Sequence, residues 1–162
     1  MALAGVGVDM LEIARMERAM ERRPGLVERA FTEEERLYCE SSNRPSAHFA
    51  ARIAAREAVL KALGCGFCGG VHIDDVSVSR NAQGRPVVVL KGRAAEVARE
   101  QGVREVAISL SFTHDLAVAN AVAVTDEARP KKTTELDQKA QLAATFREAR
   151  SLVDELERVA QE

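Results

Sequence analysis

The chain has 162 residues, 46% of them hydrophobic and 30% charged, so it can bury a real core and fits the size of one domain. Its formal net charge of −2 gives no general attraction to nucleic acid or to an anionic membrane surface. No apolar run approaches the roughly 20 residues that cross a bilayer, and the N-terminal MALAGVGVDM lacks the basic start of a signal peptide. We therefore expect a cytoplasmic protein that binds neither nucleic acid nor a membrane.

The three cysteines do not make a disulfide framework, because their number is odd, and this agrees with a reducing compartment. Cys65, Cys68 and His72 have the C-x2-C-x3-H spacing of half a zinc site, and Cys39 or His48 could supply a fourth ligand. A zinc-stabilised module is therefore one alternative.

The first elements are a strand and two helices. ALAGVGVD predicts a buried strand that ends in Asp9, and MLEIARMERAMERR has helical spacing as far as the break at RPG. Asp9 is therefore expected where a strand meets a helix. In TEEERLYCE, Thr32 as N-cap and Glu35 three residues later predict a helix that begins with a capping box.

The next helix is rich in alanine. FAARIAAREAVLKALGCG is small and apolar on nearly every side, which is typical of a helix inside a fold, yet it carries Arg52, Arg56, Glu57 and Lys61 before Gly64. Burying an ion costs roughly several kcal/mol unless the charge is paired or used. Glu57 and Lys61 could simply form an i, i+4 helix pair worth about 0.2 to 0.5 kcal/mol.

The second half of the chain is mostly β-structure. IDDVSVSR and RPVVVLKG flank NAQG and predict a hairpin, and RAAEVAREQG predicts a short helix with a terminal glycine. VAISLSF and LAVANAVAV predict two further strands around a turn at residues 113–115. This order predicts an α+β fold with a small, mostly antiparallel sheet packed with helices.

The composition changes at Thr125. TDEARPKKTT predicts a linker over residues 125–134, and the apolar residues that follow are spaced by four and three. That spacing fits a coiled-coil seam or an amphipathic helix folded back on the core. We therefore predict a domain at 1–124, a linker at 125–134 and a C-terminal helical extension at 135–162.

Two carboxylates are candidates for chemistry. Asp9 and Glu57 lie on rigid elements, and Mg²⁺ is often held by one or two carboxylates together with substrate phosphates. Lys61, one turn after Glu57, could face the same phosphates. Gly64 and Gly66 could let backbone amides approach a ligand, although a glycine after a helix is more often only a C-cap. The residues alone leave both roles open.

Five segments together resemble one family. GVGVD, FTEEE, ARIAAREAVLKALGCG, a hairpin with GRP, and SLS before the final strand occur in the order seen in holo-acyl-carrier-protein synthases. These are the short, trimeric class of 4'-phosphopantetheinyl transferases of bacterial fatty-acid synthesis. The resemblance covers residues 4 to about 124, and its most specific parts are G-x-D and the basic-E-A-x-x-K-A-x-G-x-G block.

The resemblance implies a reaction. The enzyme would transfer 4'-phosphopantetheine from coenzyme A to a serine of an apo acyl carrier protein, leaving adenosine 3',5'-bisphosphate. Asp9 and Glu57 would hold Mg²⁺ against the pyrophosphate of coenzyme A, and Lys61 would contact the transferring phosphate. The family also implies a homotrimer with active sites at subunit boundaries. The general base is not indicated by the sequence.

Further coenzyme contacts follow from the same resemblance. Arg52 and Arg56 would make phosphate contacts or give internal support, although the family more usually has lysine at position 56. Gly64 and Gly66 would line the coenzyme site.

The chain departs from the family pattern at the end of a strand. Where the family usually has S-x-S/T-H, this chain has Phe112, with His114 two residues later. Either a shifted turn lets His114 take the missing role, or coenzyme binding is altered. An inactive homologue that acts as an assembly or binding protein through its C-terminal helix is therefore the alternative from another class.

The first helix would dock the carrier protein. Arg15 and Arg22 match the family's docking helix, and carrier proteins of this type are acidic, so charge steering is expected. The alternative is a solvated surface helix in which Glu12, Glu17 and Glu21 pair with the arginines.

Overall fold

The computed structural model describes residues 5–126. The predicted helix at 135–162, and all but the first two residues of the predicted linker, lie outside the described residues. Five strands and five α-helices occur within residues 5–126, with a 3-10 turn at Ile73–Asp75. In chain order they are β1 (Gly5–Glu12), α1 (Ile13–Arg22), α2 (Leu26–Ala30), α3 (Glu33–Glu40), α4 (Pro45–Ala62), β2 (Val76–Arg80), β3 (Pro86–Leu90), α5 (Gly92–Glu100), β4 (Val103–Phe112) and β5 (Leu116–Thr125). The predicted α+β class is confirmed.

The strands form two antiparallel sheets rather than one. The larger has the order β1-β5-β4, and the smaller is the β2-β3 hairpin. The hairpin predicted around NAQG is confirmed, and Gly84 takes a positive φ of 78° in its turn. The central strand, β5, pairs with β1 from Gly5↔Ala123 to Glu12↔Leu116, so the first strand of the chain lies beside the last.

Helix α4 packs across one face of the larger sheet, as the alanine-rich sequence predicts for an interior helix. The sheet is built for close approach: alternate residues of β5 that face the helix are all alanine and fully buried, namely Ala117, Ala119, Ala121 and Ala123. On β1, a side chain at Gly5 or Gly7 would overlap the backbone carbonyl of Ala62 or Ala58. Only glycine lets the strand lie this close to the helix.

The junction between β1 and α1 lies later than predicted. Asp9 is inside β1, paired with Ala119, and α1 begins at Ile13, whose amide donates to Asp115 O at 2.8 Å. The expectation that Asp9 marks a strand–helix junction is therefore wrong. The ladder with β5 continues through Glu12, and these long-range hydrogen bonds outweigh the helical spacing of the local sequence.

The predicted capping box at the start of α3 is confirmed. The Thr32 hydroxyl accepts from Glu35 N at 3.2 Å, and the Glu35 carboxylate accepts from Thr32 N at 3.0 Å. Helix α2, a single short turn, was not predicted.

No helix within residues 5–126 is long and apolar enough to cross a membrane.

Candidate active site

Asp9 reaches helix α4 because of the strand's two-residue period. Gly5, Gly7 and Asp9 lie on the face of β1 that packs on α4, whereas Val6 and Val8 lie on the opposite face. The Asp9 side chain is 14% exposed, and its Oδ1 accepts from the Lys61 ammonium at 2.7 Å. The glycines that bring the strand onto the helix thus also bring Asp9 to Lys61.

Lys61 pairs with the strand rather than with Glu57. Its Nζ donates to Asp9 Oδ1 and, at 3.1 Å, to Val8 O. The hydrogen bond to Asp9 raises the pKa of Lys61 above its ordinary value, and the charges of Asp9 and Glu57 add to that effect. Lys61 is 51% exposed, so its ammonium is charged and accessible at the rim of the site.

Glu57 lies one turn before Lys61 on α4 and is half-buried. Among residues 5–126 its carboxylate makes no hydrogen bond or ion pair, so the i, i+4 pair with Lys61 is not formed. Side chains on a helix lean towards its N-terminus, which inclines Lys61 back towards Glu57 and Asp9. Two carboxylates and one ammonium therefore share the region between β1 and α4.

This donor set suits a hard divalent cation. Mg²⁺ prefers oxygen ligands, keeps several waters, and is usually bound by one or two carboxylates plus substrate phosphates. Asp9 and Glu57 provide that number on two rigid elements. In the described part of the chain, no three His, Cys, Asp or Glu side chains come together to hold a metal, so Cys65, Cys68 and His72 do not assemble the zinc site considered above.

The glycines after α4 end the helix in the described structure. Gly64 and Gly66 have φ of 67° and 56°, and their amides donate to Lys61 O at 3.0 Å and Leu60 O at 3.4 Å. A side chain at either position would meet no atom within 4 Å, so backbone conformation rather than space requires glycine. These contacts are those of a C-cap, and coenzyme contact by the two glycines stays a prediction.

Arg56 is built into the interior. Its guanidinium lies 2.8 Å from Glu35 Oε2, and its nitrogens also donate to Ala30 O at 2.9 Å, Ile73 O at 3.1 Å and Arg52 O at 3.3 Å. Burial lowers the pKa of Arg56, and the Glu35 carboxylate opposes that shift. Every guanidinium nitrogen has a partner, so the geometry fits the internal support that the resemblance offered as one of two roles.

Arg52 is buried but incompletely satisfied. It stacks on the Tyr38 ring at 4.5 Å, and its Nη1 reaches His48 O at 3.4 Å. Its Nε is 4.0 Å from Glu35 Oε1 and is one of two buried side-chain polar atoms without a hydrogen-bond partner in the described chain. Arg52 faces a cavity of about 200 Å³ that it shares with Tyr38, His48, Arg80 and Phe112.

Phe112 and His114 lie in different surroundings. The Phe112 ring meets the His48 ring at 5.0 Å and 72°, and the Arg44 guanidinium lies 5.7 Å above it. His114 is 92% exposed on the turn between β4 and β5, with Nδ1 2.8 Å from Asp115 Oδ1. The histidine that the structure brings to Phe112 is thus His48, which the sequence had suggested only as a zinc ligand.

Sequence reasoning missed Tyr38 and Arg80, which line this cavity, and Arg44, which lies over the Phe112 ring. Arg44, Arg80 and Tyr38 carried no local motif, and Arg44 also holds the β4–β5 turn by donating to Thr113 O at 3.1 Å and His114 O at 2.6 Å. Two signals could have drawn attention to them. Several arginines lie close to Phe112 and to the alanine-rich helix, and the residue pattern departs from the family in this region.

The candidate docking residues are free on the surface. Arg15 and Arg22 are exposed on one face of α1, and neither forms an ion pair with another residue in the range 5–126. Glu17 instead accepts from the Ser46 hydroxyl at 2.8 Å. The acids of α1 therefore do not neutralise these arginines.

The sequence matches a known family over the same elements. The model of the 4'-phosphopantetheinyl transferase superfamily matches residues 5–119, and the chain belongs to this superfamily. The holo-[acyl-carrier-protein] synthase of Moorella thermoacetica is 47% identical over 116 residues, which cover 72% of this chain and 90% of that protein. The resemblance drawn from the motifs is confirmed, and the chain is an enzyme of the phosphopantetheinyl transferase class.

Solved structures give the same answer for the fold. Holo-[acyl-carrier-protein] synthase from Neisseria meningitidis superposes with a TM-score of 0.65 at 31% identity, covering 74% of this chain and 96% of that one. The synthase from Bacillus anthracis, solved in complex with CoA (3',5'-ADP), has a TM-score of 0.63 at 27% identity, covering 78% and 100%. The predicted phosphopantetheinyl transferase-like fold is confirmed.

Proposed function

We propose that this transferase is a Mg²⁺-dependent holo-acyl-carrier-protein synthase whose reaction centre is Asp9, Glu57 and Lys61. It transfers 4'-phosphopantetheine from coenzyme A to a serine of apo acyl carrier protein. The observation that carries the assignment of the centre is the contact of Asp9 with Lys61 across β1 and α4, beside a Glu57 carboxylate that has no partner among the described residues. Two carboxylates and one ammonium in this arrangement contribute little to the stability of the fold. They suit the binding of a divalent cation together with a polyanion.

The chain's own residues would act by position and charge. Asp9 and Glu57 would hold Mg²⁺, which when bound neutralises pyrophosphate charge and makes the β-phosphorus more electrophilic. Lys61 would leave Asp9 and donate to the transferring phosphate, which its exposed ammonium can reach. The serine oxygen forms a bond to the β-phosphorus and loses its proton, and the bond from that phosphorus to the bridging oxygen breaks. Adenosine 3',5'-bisphosphate leaves with the bond electrons.

We place a second phosphate contact at Arg52. Coenzyme A carries a ribose phosphate in addition to its pyrophosphate, and Arg52 has a buried donor without a partner in the described chain. Arg52 and Lys61 are separated by about 14 Å along α4, given a rise of about 1.5 Å per residue. Only one ribose separates the two phosphate groups of coenzyme A, so one molecule would use Lys61 of one subunit and Arg52 of another.

This geometry supports the homotrimer with active sites at subunit boundaries. On the outer face of β1, Val6, Val8 and Met10 are 67%, 48% and 63% exposed. An apolar strip of this kind is suited to contact between copies around a closed symmetry axis. Static light scattering at micromolar concentration should give three times the chain mass, and a monomer would contradict the proposal.

Other finer assignments rest on the same reasoning. We propose that Arg15 and Arg22 bind the acidic carrier, and that residues 1–124 form the transferase domain. A cytoplasmic location is supported by the three cysteines being free thiols.

The test is incubation with coenzyme A, Mg²⁺ and an apo acyl carrier protein, followed by intact mass of the carrier. We expect the carrier to gain the mass of phosphopantetheine, and chelation by EDTA to prevent it. Glu28→Gln, which alters an exposed carboxylate on α2, is the control for Glu57→Gln. No mass gain by the folded wild-type protein would favour the inactive homologue instead.

A further inference from the structure

Three rings meet where α3, α4 and β4 come together. The His48 ring lies edge-on to Tyr38 at 5.3 Å and 83°, and edge-on to Phe112 at 5.0 Å and 72°. Edge-to-face contacts of this kind fix ring orientation. The imidazole is therefore held between two aromatic side chains at the wall of the cavity, instead of moving freely on the surface.

The groups that face this imidazole are mostly cationic. Arg52 comes from its own helix, Arg44 directly precedes that helix, and Arg80 comes from β2, where it stacks on Tyr38 at 4.5 Å. The residues that line the cavity include no carboxylate; they are Tyr38, His48, Ala51, Arg52, Arg80, Gly84, Pro86, Leu110 and Phe112. Glu35 of α3 is engaged by Arg56 at 2.8 Å and lies 4.0 Å from the Nε of Arg52.

Two independent features of this cavity lack a counterpart that an anion would supply. The buried Nε of Arg52 has no hydrogen-bond partner within the described residues, because Glu35 Oε1, which accepts from Val78 N, is 4.0 Å away. Burial, followed by the charges of Arg52, Arg80 and Arg44, lowers the pKa of His48 below its ordinary value. A bound anion would accept a hydrogen bond from Arg52 and would raise the pKa of His48.

We propose that His48 binds the ribose phosphate monoester of coenzyme A together with Arg52 and Arg80, supplying from α4 the imidazole that the family usually carries at position 112. Phe112 then occupies the neighbouring ring position at the end of β4, so the two ring types have exchanged places. The proposal rests on the proposed function, because coenzyme A is the anion considered. It also explains how an active chain can lack the usual histidine without using His114.

A phosphate monoester suits the site better than the pyrophosphate. The pyrophosphate must lie against Lys61 at the reacting centre, so the ribose phosphate is the group of coenzyme A left for this cavity. A monoester is close to a dianion at neutral pH, and the cavity has two cationic side chains besides a titratable ring. His48 is accordingly a specificity-determining residue for coenzymes that carry the ribose phosphate.

The experiment is calorimetric titration of the full chain with adenosine 3',5'-bisphosphate and, in parallel, with adenosine 5'-monophosphate. We expect the wild type to prefer the bisphosphate. His48→Phe should weaken bisphosphate binding by about tenfold or more, as for loss of a charge-assisted hydrogen bond, and leave the monophosphate unchanged. His48→Phe/Phe112→His should recover most of the loss, because it restores one imidazole and one phenyl ring.

His114→Phe is the matched control, since it removes an exposed imidazole from the neighbouring turn. It should leave both affinities unchanged. Equal affinity of wild type and His48→Phe for the bisphosphate would overturn the proposal, and so would a loss confined to His114→Phe.

A second measurement does not depend on the folding of any His48 variant. The chain has three histidines, so imidazole resonances can be assigned with His72→Gln and His114→Gln. The pKa of His48 should rise when the wild-type protein is saturated with adenosine 3',5'-bisphosphate, and an unchanged value would contradict the proposal. If carrier modification is normal in His48→Phe and its discrimination between the nucleotides is unchanged, this inference alone fails. If the wild type binds the bisphosphate but never modifies a carrier, the proposed function fails instead.

Discussion

Two of the ion pairs of helix α4 have almost the same length and opposite surroundings. Arg56 and Glu35 are 2.8 Å apart with side chains 1% exposed, whereas Lys61 and Asp9 are 2.7 Å apart with side chains 51% and 14% exposed. The buried pair is completed by three backbone carbonyls and two backbone amides, while the open pair leaves Glu57 without a partner nearby among residues 5–126.

The difference separates charges that support the fold from charges that are ready for a ligand. A buried pair cannot exchange partners, because any rearrangement would leave an ion in the interior unpaired. The open pair can exchange partners, because solvent screens each ion while a phosphate or a cation replaces its partner. The distance between two ions therefore does not identify a functional pair. Exposure to solvent, together with a nearby charged group that has no partner, does identify one.

The largest expected effect is on turnover at the open pair. Glu57→Gln removes the charge that we propose binds Mg²⁺ but keeps the shape, so carrier modification should fall by orders of magnitude at saturating Mg²⁺. Stability without metal should stay the same or rise. Asp9→Asn should behave alike, and the double variant should lose little more, because groups that act together are strongly non-additive. Initial rates by intact mass, with urea unfolding in parallel, measure both quantities.

Near-normal turnover of Glu57→Gln would refute the metal site. It would also mean that the open pair differs from the buried pair in its exposure but has no role in catalysis.

The next effect is on stability at the buried pair. Glu35→Gln leaves Arg56 buried without its counter-ion, and removal of one partner of such a pair costs about 3 to 5 kcal/mol. The free energy of unfolding in urea should fall by that amount, whereas Lys61→Met, at the open pair, should change it much less.

Cys39 offers a control for this measurement. Burial is the main cause that raises the pKa of its thiol to about 11, so it should react with thiol reagents only on unfolding, well after the exposed Cys68. Fast modification of Cys39 in the folded wild type would show that this interior is open and that the comparison fails.

A moderate effect is expected on carrier use. Arg15→Glu/Arg22→Glu reverses two exposed charges on α1, so KM for the acidic carrier should rise by about tenfold or more. Affinity for adenosine 3',5'-bisphosphate should not change. The control is Arg99→Glu on α5, which reverses another exposed arginine far along the chain. Parallel losses of carrier use and bisphosphate affinity would contradict a separate docking surface.

The smallest effect concerns pH. The pKa of His48 is lowered in the free protein, by burial first, and a bound phosphate should raise it. Because the pKa is then higher in the complex, the added affinity is complete below the pKa of the free protein. It is lost as pH rises through the pKa of the complex. Bisphosphate affinity should therefore fall severalfold with rising pH in the wild type, and this fall should be absent in His48→Gln. A persistent slope would assign the titration to another group.

Local pattern was enough for most elements of the fold and for the residue types of the centre. The capping box at Thr32, the NAQG hairpin and the alternating strands depend on neighbours within a few residues, so their physics is contained in short segments. The G-x-D and E-A-x-x-K-A-x-G-x-G motifs named Asp9, Glu57 and Lys61 as the candidates before any contact was known.

The partners of the charged residues were decided only by tertiary structure. Asp9 and Lys61 are separated by 52 positions, and Glu35 and Arg56 by 21, so no periodicity along the chain relates them. Gly5 and Gly7 set the first contact by admitting β1 to the surface of α4, and β5 pairing kept Asp9 in the strand. The contact of His48 with Phe112 follows from the packing of α4 on β4. The type of each side chain thus limited the roles that the residue could have. Long-range packing of the backbone then decided which neighbours it meets, and so which of those roles is possible.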